Sequence, residues 1–366
     1  LDAARNELRA KFDNGVEYGH GKRTVSEVFR LDLDNWRTTK VVAEKRYVRE
    51  FAVTEAGDKL AMITAVDDSV VKSEGGSRVD VWNAAENRVE TTDGSWTKTA
   101  GSPYPWLGDL AWNPAGTKLA FCTIFDAYPA EVIVQEADGD AWKATRMKRP
   151  PGVHVRGYGS PLRWLSDNAL GYLGEKAGYI DVYAYGTESK DVLGVPREGV
   201  VVYDFAPTPT GGAITLEGTG IAFPELHSRG PDGKKLTDLN PQTANWNLPY
   251  VKHVTWKAPD GSTVGGPLEL PFGYSKESGK KLPLVVAIHG GPTTASYADL
   301  RFDPHNGRLY FAAKGYAVLC PNYRGSTGYG DKFTTDLVGN ENDLDVKDIL
   351  AGIEHLVKEG IADPDR

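Results

Sequence analysis

The feature that most constrains this chain is a recurring unit: an aromatic residue, a short polar turn, then an apolar strand. It reads "FAVTEAGDKLAMI" from Phe51, "WNPAGTKLAFCTI" from Trp112, "WLSDNALGYLG" from Trp164 and "FAPTPTGGAITLE" from Phe205. The aromatics stand 61, 52 and 41 residues apart. A period of this size, with several strands per unit, is a β-propeller signature. The turns suit hairpins. In "NPAG", Pro114 presets φ and Gly116 accepts a positive φ. "RVDVWNAA" and "YIDVYAY" alternate apolar and polar residues and read as further strands. A β-sandwich with coincidental turns is the plainer alternative. At about 45 residues per blade, residues 1–245 hold about five blades. Most propellers close with more, so this one is expected to be incomplete, with blades before Leu1. The polar stretch "NPQTANWNLPY", with Pro241 and Pro249, then marks a boundary.

A chain of 366 residues exceeds one ordinary core, so two domains are expected, 1–245 and 246–366. The 41 Gly and 22 Pro suit many tight turns between short strands. The net charge of −8, with no Lys/Arg stripe, argues against a nucleic-acid partner. No apolar run reaches the ~20 residues of a bilayer span, and "LDAARNELRAKF" lacks the apolar segment of a signal peptide. A soluble protein, cytoplasmic or periplasmic, is expected, with the compartment left open. Cys122 and Cys320 read as buried free thiols in different domains. The seven histidines are scattered and no CxxC, HExxH or EF-hand spacing occurs, so neither metal nor cofactor is expected.

From Tyr250 the period changes. "VKHVTWKAPDGSTVGGPLELP" reads as a hairpin turning at Asp260–Gly261. "LPLVVAIHG" reads as a short strand buried on both faces, and "YAVLCPNY" as another. Between them, Asp303 and Pro304 suit a helix start and Gly315 its end. "NDLDVKDILAGIEHLVKEG" places Val346, Ile349, Leu350, Ile353, Leu356 and Val357 on one helix face, with Asn342 as cap and Gly360 as stop. Strand, helix, strand, helix at these lengths predicts a mostly parallel α/β sheet with right-handed crossovers. In such sheets ligands sit at the carboxyl ends of strands. His289–Gly290–Gly291 occupies such an end, and its glycines leave backbone N–H groups accessible to an oxygen that gains negative charge. "NYRGSTGYGDKF" follows the next strand. Arg324 there reads as a loop anchor or a substrate contact, and Tyr323 as pocket lining or packing. Asp345 and Asp348 read as caps and loop anchors.

With "HGGP", "PNYRGSTGYGDKF" and the "DLDVKD" helix, residues 251–366 resemble the prolyl oligopeptidase family of serine peptidases, nearest its acylaminoacyl-peptidase and dipeptidyl-peptidase-like branch. The resemblance implies a β-propeller followed by the N-terminal half of an α/β-hydrolase domain, three-layer α/β/α on a mostly parallel sheet, with the propeller covering the active site. It implies oxyanion donors at Gly291 first and Gly290 beside it. His289 takes the position where some relatives present a tyrosine hydroxyl. The family nucleophile lies in a G-x-S-x-G elbow, and none occurs here; Ser326 directly follows Gly325. "ADPDR" is the kind of segment that leads into the elbow strand. The resemblance therefore implies that serine, acid and histidine lie beyond Arg366 on a companion segment or chain, and that this chain alone is inactive. Oligopeptides are the implied substrates, and homo-oligomer formation is common in relatives.

Two other functions fit the same residues: a carboxylesterase-like hydrolase, and a non-catalytic propeller interaction protein with a degenerate hydrolase remnant. Asp67, Asp68, Glu74, Asp126 and Glu131 are candidate carboxylates for a substrate amino terminus, and "IFDAYPAEV" is an apolar, aromatic insertion placed to face a cavity.

Overall fold

A computed structural model of the chain describes residue 11 and residues 25–42, 46–65, 77–99, 106–139, 141–157, 160–193, 197–209, 211–230, 233–302 and 307–366. Asp67, Asp68, Glu74, Asp303 and Pro304 lie outside the described residues. A two-stranded piece, β1 (Phe29–Leu31) and β2 (Thr38–Lys40), comes first. Two four-stranded antiparallel meanders follow. One is β3 (Val48–Val53), β4 (Lys59–Ala65), β5 (Ser77–Asn83) and β6 (Arg88–Thr91). The other is β7 (Trp106–Trp112), β8 (Lys118–Phe125), β9 (Tyr128–Asp138) and β10 (Ala141–Arg146). The third group holds β11 (His154–Val155), β12 (Arg163–Ser166), β13 (Ala169–Lys176), β14 (Tyr179–Gly186) and β15 (Val192–Leu193). The fourth holds β16 (Val200–Pro207), β17 (Ala213–Thr219) and β18 (Ala222–Arg229). A single parallel pairing, Ile180 with Val201, joins these last two groups.

Each recurring unit in the sequence is the first hairpin of one group, with its aromatic on the leading strand. The aromatics also tie neighbouring groups together. The Trp112 indole donates to the Ala52 carbonyl at 3.2 Å, and the Trp164 indole to the Ala111 carbonyl at 2.9 Å. The core lies between the sheets. Ala61, Ile63, Val79 and Val81 pack on Leu107, Leu119 and Phe121. On the opposite face of β8, Ala120, Cys122 and Ile124 pack with Leu170, Tyr172 and Tyr183. Alternating side chains of one strand thus feed two cores, which is why β8 is buried from Leu119 to Ile124. Cys122 and Cys320 are both free and buried.

The last part is a mixed sheet in the order β19 (Tyr250–Lys257), β20 (Thr263–Leu270), β22 (Ala317–Leu319), β21 (Leu284–Val286). The expected mostly parallel sheet is corrected here: only β21–β22 is parallel among these pairs, because the Asp260–Gly261 hairpin enters the sheet first. Residues 361–366 add an isolated parallel bridge just before β21 and one hydrogen bond to its first residue. Leu282 bridges Ala362, and the Leu284 N–H donates to the Arg366 carbonyl at 3.0 Å. β22 is fully buried, as expected, whereas β21 is half-buried throughout.

Helix α1 (Arg308–Ala313) begins after Gly307, α2 is Asp331–Thr335, and α3 is Leu344–Lys358. The predicted apolar face of α3 is rotated. Asp348, Gly352 and Leu356 are its buried residues, while Val346 and Leu350 are exposed. The Trp256 ring fits over Gly352, where a Cβ would stand 2.8 Å from it, so a small residue sets which face turns inward. Asn342 does not cap α3; the cap position is Asp343, without a side-chain bond.

Candidate active site

Two loops at the carboxyl ends of the parallel strands build the site. β21 leads into His289–Gly290–Gly291, and β22 leads into Asn322–Tyr323–Arg324–Gly325–Ser326. Both glycines after His289 are exposed. Among the described residues, no internal acceptor takes the N–H of Gly290 or of Gly291. Gly291 has φ +134°, and a Cβ there would stand 2.9 Å from the Thr293 nitrogen. Only glycine takes that backbone without strain. Gly325, at φ +100°, packs so closely that a Cβ would meet Leu337 at 2.5 Å and Pro292 at 3.0 Å. The two motifs therefore lie against each other.

The His289 ring is held on three sides. Its Nδ1–H donates to the Gly290 carbonyl at 3.1 Å, and its Nε2 accepts from the Ser326 hydroxyl at 3.1 Å. Its face stacks on Tyr323, with centroids 4.8 Å apart and planes 16° apart. Burial pushes its pKa down, which keeps the ring neutral and consistent with one donor and one acceptor nitrogen. The Tyr323 hydroxyl donates to the His289 carbonyl at 2.5 Å. Tyr323 itself is buried. Both residues brace the turn from behind.

Arg324 is engaged within the protein. It is buried, its Nε donates to Asp348 Oδ2 at 2.9 Å and its Nη2 to Asp348 Oδ1 at 2.6 Å, and its Nη1 bonds Asp260. Its backbone N–H also donates to Asp348 Oδ2 at 2.9 Å. Each guanidinium nitrogen thus bonds a carboxylate of this chain, and the two partners tie the loop to α3 and to the β19–β20 hairpin. The hydrogen bonds it donates to the Asp348 carboxylate push the Arg324 pKa up.

The sequence singled out none of the residues that tie this site to the preceding sheets. Asn322 is buried and clamps Ser296, accepting from its N–H at 2.7 Å and donating to its carbonyl at 3.0 Å. Buried Glu175 on β13 accepts from the Tyr297 hydroxyl at 2.6 Å and from the Thr327 hydroxyl. The Gly328 N–H donates to His154 Nδ1 at 2.8 Å, which leaves the His154 Nε2–H to face Asp331 Oδ1 at 3.1 Å. Arg149 grips the same Asp331 carboxylate through two bonds, at 2.8 and 2.9 Å. The bonds from His154 and Arg149 hold the Asp331 carboxyl well below its usual range. Apart from the Asn322–Ser296 clamp, these contacts link residues more than a hundred positions apart, and no local pattern announces them. Of the carboxylates proposed for an amino terminus, Glu131 pairs with Arg146 at 2.9 Å and Asp126 is exposed at a hairpin tip. Among the described residues no group of three His, Cys, Asp or Glu could hold a metal, and no helix is long and apolar enough to cross a membrane.

A family model described as the prolyl oligopeptidase family matches residues 302–366, the stretch that carries α1 to α3 and the Asn322–Ser326 loop. An acylamino-acid-releasing enzyme of Arabidopsis thaliana is 41% identical over 92 residues, 25% of this chain and 12% of that protein. An uncharacterized peptidase of Bacillus subtilis, YuxL, is 32% identical over 137 residues, 37% of this chain and 20% of that protein. Two solved structures share the fold. One is an acylaminoacyl peptidase of Pyrococcus horikoshii, with TM-score 0.55 and 16% identity, over 93% of this chain and 61% of the other. The other is a puromycin-hydrolyzing peptidase of Mycobacterium tuberculosis, with TM-score 0.61 and 21% identity, over 90% and 50%. The matches span 12% and 20% of these two curated relatives, and half to three-fifths of the two solved structures.

Proposed function

We propose that the complete protein is a serine-type peptidase that acts on oligopeptides through an acyl-enzyme. This chain supplies a propeller lid, about five blades within residues 1–245, and part of the oxyanion hole within 246–366. The observation that carries the reading is the pair of exposed N–H groups at Gly290 and Gly291, unclaimed by any internal acceptor among the described residues. A carbonyl oxygen gaining charge under attack needs donors fixed beforehand, each worth about 3–4 kcal/mol. Gly291 is assigned first and Gly290 beside it. His289 serves them as a brace, since both its ring nitrogens are engaged.

The serine belongs to a companion segment. The parallel bridge of Leu282 with Ala362 and the bond from the Leu284 N–H to the Arg366 carbonyl support a parallel direction for it. Continued in register along β21, such a strand comes level with Gly290 about six residues later. An elbow there points its hydroxyl at the oxygen held by the turn.

The test uses the protein together with the segment that follows Arg366. A fluorophosphonate should label one serine, and aminoacyl-arylamides should be turned over. Turnover of aryl esters without any amide turnover would favour the esterase alternative, and absence of both labelling and turnover would overturn the reading. This chain alone should give neither.

A further inference from the structure

We propose that the hairpin joining β8 to β9 forms an apolar subsite for the side chain of the acyl residue, with Phe125 and Tyr128 as its wall. The proposal rests on the peptidase reading above. Its first support is a contact between distant parts of the chain. The Ala127 N–H, at the hairpin tip, donates to the Thr293 hydroxyl at 2.5 Å. Thr293 lies two residues past Gly291, so the tip stands within about 7 Å of chain from the oxyanion turn. One residue of an extended peptide spans about 3.5 Å. A substrate whose carbonyl sits on Gly290 and Gly291 therefore carries its neighbouring side chain to the hairpin.

The second support is the shape of the tip. Phe125 and Tyr128 face each other across the turn, with ring centroids 5.8 Å apart and planes 44° apart. Both are half-buried, while Phe121 and Thr123 earlier on the same strand face are fully buried. The apolar surface thus emerges from the core only at the end that meets the turn. The opposite face of the hairpin is fixed, because Ile124 and Ala130 belong to the buried cluster between the second and third groups of strands. A rigid aromatic pair with one uncovered side favours an apolar or aromatic side chain, which gains by leaving water.

The experiment measures kcat and KM of the complete enzyme on phenylalanyl and alanyl arylamides. Tyr128→Ala and Phe125→Ala should each lower kcat/KM for the phenylalanyl substrate relative to the alanyl one by about 10-fold or more, chiefly through KM. Tyr128→Phe, which keeps the ring, should leave the ratio unchanged. Melting curves establish that the variants fold. If the alanine variants do not, Tyr128→Leu and Phe125→Leu take their place with the same expectation. An unchanged ratio in folded variants of an enzyme that a fluorophosphonate still labels overturns the subsite alone. A wild-type protein that neither labels nor cleaves amides overturns the peptidase reading and the subsite with it.

Discussion

Tyr323 holds His289 twice: its hydroxyl reaches the His289 carbonyl at 2.5 Å while its ring stacks on the imidazole at 4.8 Å. The carbonyl is part of the peptide group whose N–H belongs to Gly290. Fixing the oxygen fixes the plane, and so the direction in which that N–H points. Tyr323→Phe keeps the stacking and removes the bond. It should cost about 1 kcal/mol of stability, read by denaturant unfolding, and in the complete enzyme it should lower kcat more than it raises KM. A rise in KM alone would mean that the turn positions substrate and not the transition state.

The two glycines of the turn should respond differently to a methyl group. At Gly290 a Cβ meets nothing within 4 Å and φ lies outside the left-handed region; at Gly291 φ is +134° and the Thr293 nitrogen stands 2.9 Å away. Gly290→Ala should therefore melt like the parent. Gly291→Ala should lose about 1–3 kcal/mol, as measured by chemical denaturation. Equal losses at both positions would refute this account of the turn.

The buried pair of Arg324 and Asp348 should be the most sensitive point of the α/β part. Asp348→Ala leaves a guanidinium that is 3% exposed facing one remaining partner. Removing one member of such a pair costs about 3–5 kcal/mol. Asp260→Ala should cost much less, because the Asp260 side chain is 47% exposed and water replaces it. Unfolding curves of the two variants, compared with that of the double variant, give the coupling directly.

Much of this architecture could be read from the residues, for identifiable reasons. The aromatic–turn–strand unit was legible because its period is local: Pro114, Gly116 and their counterparts act within a few residues. Gly290 and Gly291 were legible as an open turn because two glycines that end an apolar run stop the strand locally. The face of α3 was misread because Gly352 and Asp348, neither of them apolar, take the buried side, one for the Trp256 ring and the other for Arg324. Ser326 looked only like a failed elbow, and its contact with His289 depends on how two loops meet. Glu175 and Asp331 carry no signal at all, since their partners lie 122 and 177 residues away. Long-range polar contacts at a seam answer to the fold and leave no periodicity behind.

His253 should make the seam sensitive to acid. Burial lowers its pKa to about 4, from 6.5. Its Nε2 lies 2.9 Å from the Tyr329 hydroxyl, whose oxygen accepts from Asn322 Nδ2 at 3.2 Å. The Tyr329 hydroxyl therefore donates a hydrogen bond to a neutral His253, and a protonated ring could no longer accept it. The folded pKa lies below the unfolded one, so the unfolded chain binds the extra proton first. The contribution is complete above pH 6.5 and is lost as pH falls towards 4, with an upper bound of about 3 kcal/mol. His253→Gln removes the titration and keeps a polar partner for Tyr329. Denaturant unfolding between pH 7 and pH 4 should show a stability difference between the two proteins that changes steadily across this window and is flat above it. A difference constant with pH would mean that His253 titrates as it does in water and that the Asn322–Tyr329 network does not depend on its charge.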